Sequence, residues 1–303
     1  MKNLKRAFLP VTVACGAAVV GIALRTLAYF FAYDPVIAYF KTGNVFTTAW
    51  TALTFALIAF LATSAILNAK TFRKKTPKAA ECTASARASS IIACAASLLA
   101  TVYFITKAMS AEANWIAYVG AITSIVSAYH FIMLMSLERK NEVALLLTGY
   151  VHPISLALLI ADMYFDMTIT ANNPDKIAFI CSLVLLMLVR VLELRDLLGN
   201  SKPALGISVS ALEIFVGASA SVSYVIAVFS GLYARIVMPC AALVILAMTL
   251  STLLGVIGRA RSLDAADGGN EYEKPLAEDT PDGEIANDDK PQEQTDDASE
   301  QQV

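Results

Sequence analysis

Among the ionisable side chains within the long apolar runs of this chain, five form a group on one side of the expected midplane. They are His130, His152, Arg190, Glu193 and Glu213. An ionisable group inside an apolar membrane zone is costly, so it usually faces a bundle interior or water and finds a partner there. These five residues are therefore the candidate polar core, at which an ion or a polar substrate would bind.

His152 directly precedes a proline in the stretch "TGYVHP", Thr148 to Pro153. Proline removes one backbone hydrogen bond and crowds the carbonyl of Gly149, so we expect a kink or break in the helix there. Broken helices at this depth expose carbonyl groups that bind ions or substrates in transporters. A histidine satisfied within an ordinary kinked helix is the alternative.

Arg190 has two candidate carboxylate partners. The 1.5 Å rise per residue puts Arg190 about 12 Å, and Glu213 about 10 Å, from the same membrane face, so the two residues are predicted to match in depth. Glu193 lies three residues after Arg190 on the same helix, which also permits an ion pair.

A second polar group is expected near the opposite surface. Its members are Arg25, Asp34, Asp162 and Asp166. Arg25 either ties the first helix to its neighbours, through snorkelling or a carboxylate such as Asp162, or contributes to an outward-facing binding site. Asp34-Pro35 should end that helix, because proline disfavours a helical residue before it.

The elements that position these residues are predicted to be eight transmembrane helices. The chain of 303 residues is 57% hydrophobic and 16% charged, well below the charged fraction of about 25% in soluble domains. Its apolar runs have the length of roughly 20 residues that a helix needs to cross a bilayer. They cover residues 8–31, 44–68, 88–108, 114–136, 143–165, 177–198, 206–229 and 233–257.

Basic residues predict the orientation. Alternate connections, beginning with the N-terminus, hold 15 Lys and Arg residues, and the intervening connections hold four. Basic residues beside short loops stay on the cytoplasmic side, so both termini are expected in the cytoplasm of a cell membrane protein. The basic loop around "KTFRKKTPK" (70–78) is expected to meet anionic lipid headgroups.

The C-terminal segment differs from the transmembrane bundle of residues 1–262. From Asp264 it holds 14 acidic and two basic residues and almost no bulky apolar ones, so residues 263–303 are predicted to be a disordered cytoplasmic tail. It is either a solvated extension or a segment that covers the basic loop or binds a protein partner.

Two features bear on packing. Small residues between Gly206 and Ser223 place helix 7 at the centre of the bundle. The loops after helices 1 and 5 are both acidic, aromatic and end near a proline, which permits a duplication into two parallel four-helix halves. Chance similarity between two outer loops is the alternative.

Recognisable catalytic signatures are missing from the sequence. It contains no H-E-x-x-H, G-x-S-x-G or Gly-rich phosphate motif, and no soluble domain for nucleic acid or nucleotide. Five cysteines without metal spacing are interpreted as small core residues. We therefore predict no enzyme activity and no cofactor, catalytic or metal site.

Arg25, Asp34-Pro35 and Thr42-Gly43 together resemble a segment of uncharacterised bacterial polytopic membrane proteins, which carry an arginine late in the first helix and an Asp-Pro…Thr-Gly loop after it. The stretch from Ala234 to Met248 is similar to the start of their last helix. The resemblance implies topology and no activity. On the residues alone, a transporter-like protein is the leading interpretation, a sensor or assembly partner the alternative, and a lipid-modifying intramembrane enzyme the third.

Overall fold

The computed structural model describes residues 2–34, 39–41, 43–72, 84–110, 114–135, 142–166, 173–232 and 237–268. These ranges form eight α-helices and one pair of short antiparallel strands. The elements are α1 (Lys2–Ala32), β1 (Tyr33–Asp34), β2 (Tyr39–Phe40), α2 (Val45–Phe72), α3 (Ala84–Ala108), α4 (Trp115–Met135), α5 (Glu142–Phe165), α6 (Pro174–Leu197), α7 (Pro203–Phe229) and α8 (Val237–Gly268). All eight helices contain a stretch long and apolar enough to span a membrane, which confirms the predicted bundle.

Proline sets several helix ends. α1 ends at Ala32, as expected from the Asp34-Pro35 pair. α6 and α7 begin with Pro174 and Pro203, three residues earlier than predicted, because proline fits the first helical position, where no amide partner is needed. The side chain of Asn173 accepts hydrogen bonds from two amides in the first turn of α6 and so fixes that end.

Two helices are more continuous than the sequence predicted. α5 runs through Pro153 as one helix, so of the kink or break expected there the break does not occur. α8 continues to Gly268, so residues 263–268 are helical where a disordered tail was expected. Residues 73–78 of the basic loop and the tail after Gly268 lie outside the described residues.

Helix α7 occupies the centre of the bundle, as its small residues predicted. It packs against α1, α2, α6 and α8, and it has the most buried span of the eight described helices. Ser210, Gly217, Ser219 and Ser221 are all buried and allow these close approaches. α8 packs in addition against α3, and the helices from α3 to α6 pack in sequence order.

The two halves of the bundle do not pack equivalently. In a duplication, α2 and α3 of the first half would correspond to α6 and α7 of the second half. α6 packs against α7, whereas the described parts of α2 and α3 show no comparable packing. α2 is also the most exposed of the described spans, with large apolar side chains such as Phe55 and Ile66 on the surface that faces lipid. The duplication stays a prediction.

The cysteines do not all lie in the core. Cys15 and Cys94 are half-buried, but Cys181 and Cys240 are exposed at the apolar surface, so the core interpretation was wrong for these two. The four described cysteines are unpaired, and Cys82 lies outside the described residues.

Close packing of α3 against α4 depends on Gly120. A Cβ at this position would lie 2.6 Å from two ring atoms of Phe104, which is fully buried. We expect Gly120→Ala to lower the free energy of unfolding by about 1–2 kcal/mol, because the strain exceeds the gain in helix propensity. Unfolding of the purified protein by SDS in mixed micelles would measure this.

Gly16→Ala is the matched control, because a Cβ at Gly16 meets no atom within 4 Å. It should be neutral or slightly stabilising. Equal effects of the two substitutions would contradict the close packing at Gly120.

Candidate functional site

The first polar cluster, which we call the Arg25 cluster, joins α1 to the start of α6. Arg25 Nη2 lies 2.6 Å from Asp175 Oδ1, and the Tyr29 hydroxyl donates to the same oxygen. The Arg25 guanidinium also lies 5.0 Å from the centre of the Trp50 ring, and Trp50 Nε1 donates to Ser219 Oγ over 3.2 Å. Charge pairing and a cation–π contact thus tie α1, α2, α6 and α7 together.

This arrangement corrects the expected partner of Arg25, which is Asp175 and not Asp162. Arg25 is 5% exposed and Asp175 is fully buried. The two residues therefore form a buried ion pair that links α1 to α6, and not an open outer site. Asp34 lies half-buried in β1, opposite Tyr39.

Asp162 and Asp166 belong to a separate group, the Lys107 cluster, between α3 and α5. Lys107 Nζ lies 2.8 Å from Asp162 Oδ2 and 3.6 Å from Asp166 Oδ2. The Tyr103 hydroxyl donates to Asp162 Oδ2 over 2.6 Å. The sequence-predicted outer group therefore divides into two clusters, each with its own cation.

The Arg190 cluster joins α6, α8 and α3 towards the other end of the bundle. Arg190 Nη1 donates to Glu193 Oε2 over 2.7 Å, and Nη2 donates to Ser251 Oγ over 3.2 Å. Ser89 of α3 donates to the Ser251 carbonyl over 2.7 Å. Arg259 extends the cluster along α8, 3.7 Å from Glu193 Oε1.

Of the two pairings predicted for Arg190, the structure forms the one with Glu193. Glu213 has a different environment, which we call the Glu213 centre. Its Oε1 accepts a hydrogen bond of 2.7 Å from Thr249 Oγ1, and its Oε2 has no hydrogen-bond partner among the described residues. Ser182 Oγ, fully buried on α6, also has none.

The two histidines lie beside the Arg190 cluster. His130 Nδ1 is 3.2 Å from Thr148 Oγ1. His152 is 3% exposed, its ring stands edge-on to Phe131 at 4.9 Å, and neither of its ring nitrogens has a hydrogen-bond partner in the described part of the chain. Phe131 in turn lies under the Arg190 guanidinium at 5.4 Å.

No known protein family, curated protein or solved structure matches this chain. The candidate site is therefore defined by its geometry alone. Within the described ranges, no three metal-ligating side chains of the His, Cys, Asp and Glu types come together.

The three groups along α6 form what we call the polar column. Asp175, Ser182 and Arg190 lie at intervals of about two turns on the buried face of α6, and each has polar side chains from neighbouring helices beside it. The column runs from the Arg25 cluster, past the Glu213 centre, to the Arg190 cluster. Polar groups thus follow α6 over most of its length.

Sequence reasoning found Arg25, Arg190, Glu193 and Glu213 but missed Asp175 and most of the hydroxyl partners in the column. Asp175 was missed because it precedes the apolar run of helix 6, although the Asn-Pro-Asp sequence is a helix-start signal. The sequence contains no signal that marks the hydroxyl members of the column, Ser182, Thr249 and Ser251, as site residues. Hydroxyl residues are common in membrane helices and usually form hydrogen bonds with the backbone of their own helix.

Proposed function

We propose that this protein is a membrane transporter in which a small polar or charged solute passes along the polar column. The observation that carries the proposal is that buried polar atoms on or beside that column have no partner among the described residues, including Ser182 Oγ, Glu213 Oε2 and both ring nitrogens of His152. Burying such atoms without hydrogen bonds costs about 1–3 kcal/mol each. A purely structural bundle gains nothing from that cost.

The arrangement of the charges also favours transport. The Arg25 and Arg190 clusters close the two ends of the column with ion pairs, and the unpartnered hydroxyl and carboxylate lie between them. An ion pair at one end of the column acts as a gate if its members exchange partners. Arg190 would open its end of the column by leaving Glu193 and pairing with Glu213. Arg259 then remains as a partner for Glu193.

Orientation and surroundings follow from charge. We place both termini in the cytoplasm of a cell membrane, with anionic headgroups at the basic loop and a protein partner for the acidic tail. The end of the bundle with the Lys107 cluster then faces outwards.

Thiol labelling tests the proposal. In a background with all five native cysteines replaced, we expect Ser182→Cys to react with a small membrane-impermeant reagent, because water reaches the column. Leu183→Cys is the matched control, since Leu183 is the adjacent residue, is equally buried and lies in the apolar core. We expect Ser182→Cys to react at least about 10-fold faster than Leu183→Cys. Labelling of His152→Cys tests in the same way whether water reaches the buried histidine on α5.

Met109→Cys is the positive control for labelling from the outer side, because Met109 is 83% exposed just after α3. If neither position 182 nor 152 reacts from either side in folded protein, the bundle is sealed and transport is wrong. A sensor or assembly partner would then be the better interpretation.

A further inference from the structure

Glu213 stands apart from the other buried carboxylates. Three carboxylates of the described chain are almost completely buried, namely Asp162, Asp175 and Glu213, and the first two lie within 3 Å of Lys107 and Arg25. Glu213 has no Lys, Arg or His nitrogen within 4 Å among the described residues. A buried carboxylate without a cation is costly, so a positive charge or a proton is needed there.

The atoms around Glu213 form an oxygen-lined cradle at Gly217. A Cβ added to Gly217 would lie closest to Thr249 Oγ1, 2.7 Å from Glu213 Oε1 and 3.0 Å from Ser182 Oγ. Three helices, α6, α7 and α8, therefore each bring a side-chain oxygen so close to Gly217 that any larger residue at this position would displace them. Hard cations prefer ligands of this kind.

We propose that Ser182, Glu213 and Thr249 bind a monovalent cation, with Na⁺ as the expected ion. One carboxylate neutralises one positive charge, and two hydroxyls add neutral oxygen ligands. The free Oε2 of Glu213 and the free Oγ of Ser182 gain a partner when the ion binds. Mg²⁺ fits less well, because it dehydrates reluctantly and demands octahedral geometry.

This inference rests on the proposed function in that it names an ion for the same polar column. Sites for such ions in transporters lie near the middle of the membrane, where helices from different parts of the fold meet. Gly217 lies at the middle of α7, and Ser182 and Thr249 come from two helices that pack against it.

Binding to purified protein tests the proposal without any transport assay. We expect one ²²Na⁺ per chain to bind in detergent, and NaCl to raise Tm by roughly 5–10 °C at one hundred times Kd, relative to N-methyl-D-glucamine chloride at equal ionic strength. Glu213→Gln and Thr249→Val, which keep the side-chain shapes, should each weaken binding by about 10- to 100-fold.

Two controls separate a site from general damage. Thr101→Val removes a buried hydroxyl on α3 that donates to its own helix at the Ser97 carbonyl, and it should leave Na⁺ binding unchanged. In protein that still folds, Gly217→Ala should abolish binding, because its methyl group would displace the three oxygens, whereas Gly16→Ala should not affect binding.

Absence of any Na⁺ effect on folded wild-type protein would overturn the site and leave Glu213 holding a proton. Unchanged binding in Glu213→Gln would overturn it as well. The labelling of Ser182→Cys is independent of these results. Labelling without Na⁺ binding would overturn the ion site and leave the transport proposal standing. Na⁺ binding without labelling would overturn transport and leave the ion site standing.

Discussion

Asp175→Ala is expected to lower the free energy of unfolding by about 3–5 kcal/mol, because it leaves the Arg25 guanidinium buried without its carboxylate. The substitution also removes the acceptor of the Tyr29 hydroxyl and a negative charge from the first turn of α6. The Trp50 ring would still lie beside the arginine, but a cation–π contact is weaker than the lost ion pair. SDS unfolding in mixed micelles would measure the loss.

The double variant Arg25→Leu/Asp175→Ala distinguishes an unpaired charge from lost packing. Removing both charges should recover much of the stability, since an apolar residue fits an apolar bundle better than a lone cation. Asp196→Ala is the control at the other end of α6. Its side chain is 19% exposed and lies 3.3 Å from Arg259, so it should cost less than about 1 kcal/mol. A double variant as unstable as Asp175→Ala alone would contradict the charge argument.

Phe104→Ala is the second change with a large expected effect. Phe104 is fully buried between α3 and α4, and truncation of such a ring costs about 3–5 kcal/mol through lost contacts and the cavity left behind. Phe55→Ala on the lipid-facing side of α2, where the ring is 68% exposed, should cost far less. The same SDS unfolding measurement would compare the two.

The same ring provides a coupling test. In the Phe104→Ala background, Gly120→Ala should no longer destabilise, because its methyl group enters the space that the ring has left. If the two changes add as independent effects, the ring of Phe104 does not fill the groove at Gly120.

The architecture could be predicted because it depends on length and apolarity, which a single sequence records. Eight runs gave eight helices, and the small residues of α7 gave its central place. Helix ends were less certain, since Pro174 and Pro203 begin helices from positions that looked like loops. Pro153 was expected to kink or break α5, but the helix continues through it, because membrane helices tolerate proline when the freed backbone groups find other partners.

The site was harder to predict because pairing depends on which helix faces which. Depth alone matched Arg190 with Glu213, but the guanidinium turns towards Glu193 and Ser251. Arg25 meets a residue 150 positions away, and a single sequence gives no measure of such a distance in space. Ser182 and Thr249 matter only because three helices bring them to Gly217.

The long separation between Arg25 and Asp175 has a consequence for how the protein is made. A ribosome adds about 5–20 residues per second, so the 150 residues between the two partners take roughly 8–30 s to synthesise. During that interval α1 is already a membrane segment with an unneutralised arginine, and Trp50, on the next helix, is the first partner from another helix to emerge. The ion pair between α1 and α6 therefore forms only after the first five helices have been made, so the Arg25 cluster is completed late in translation.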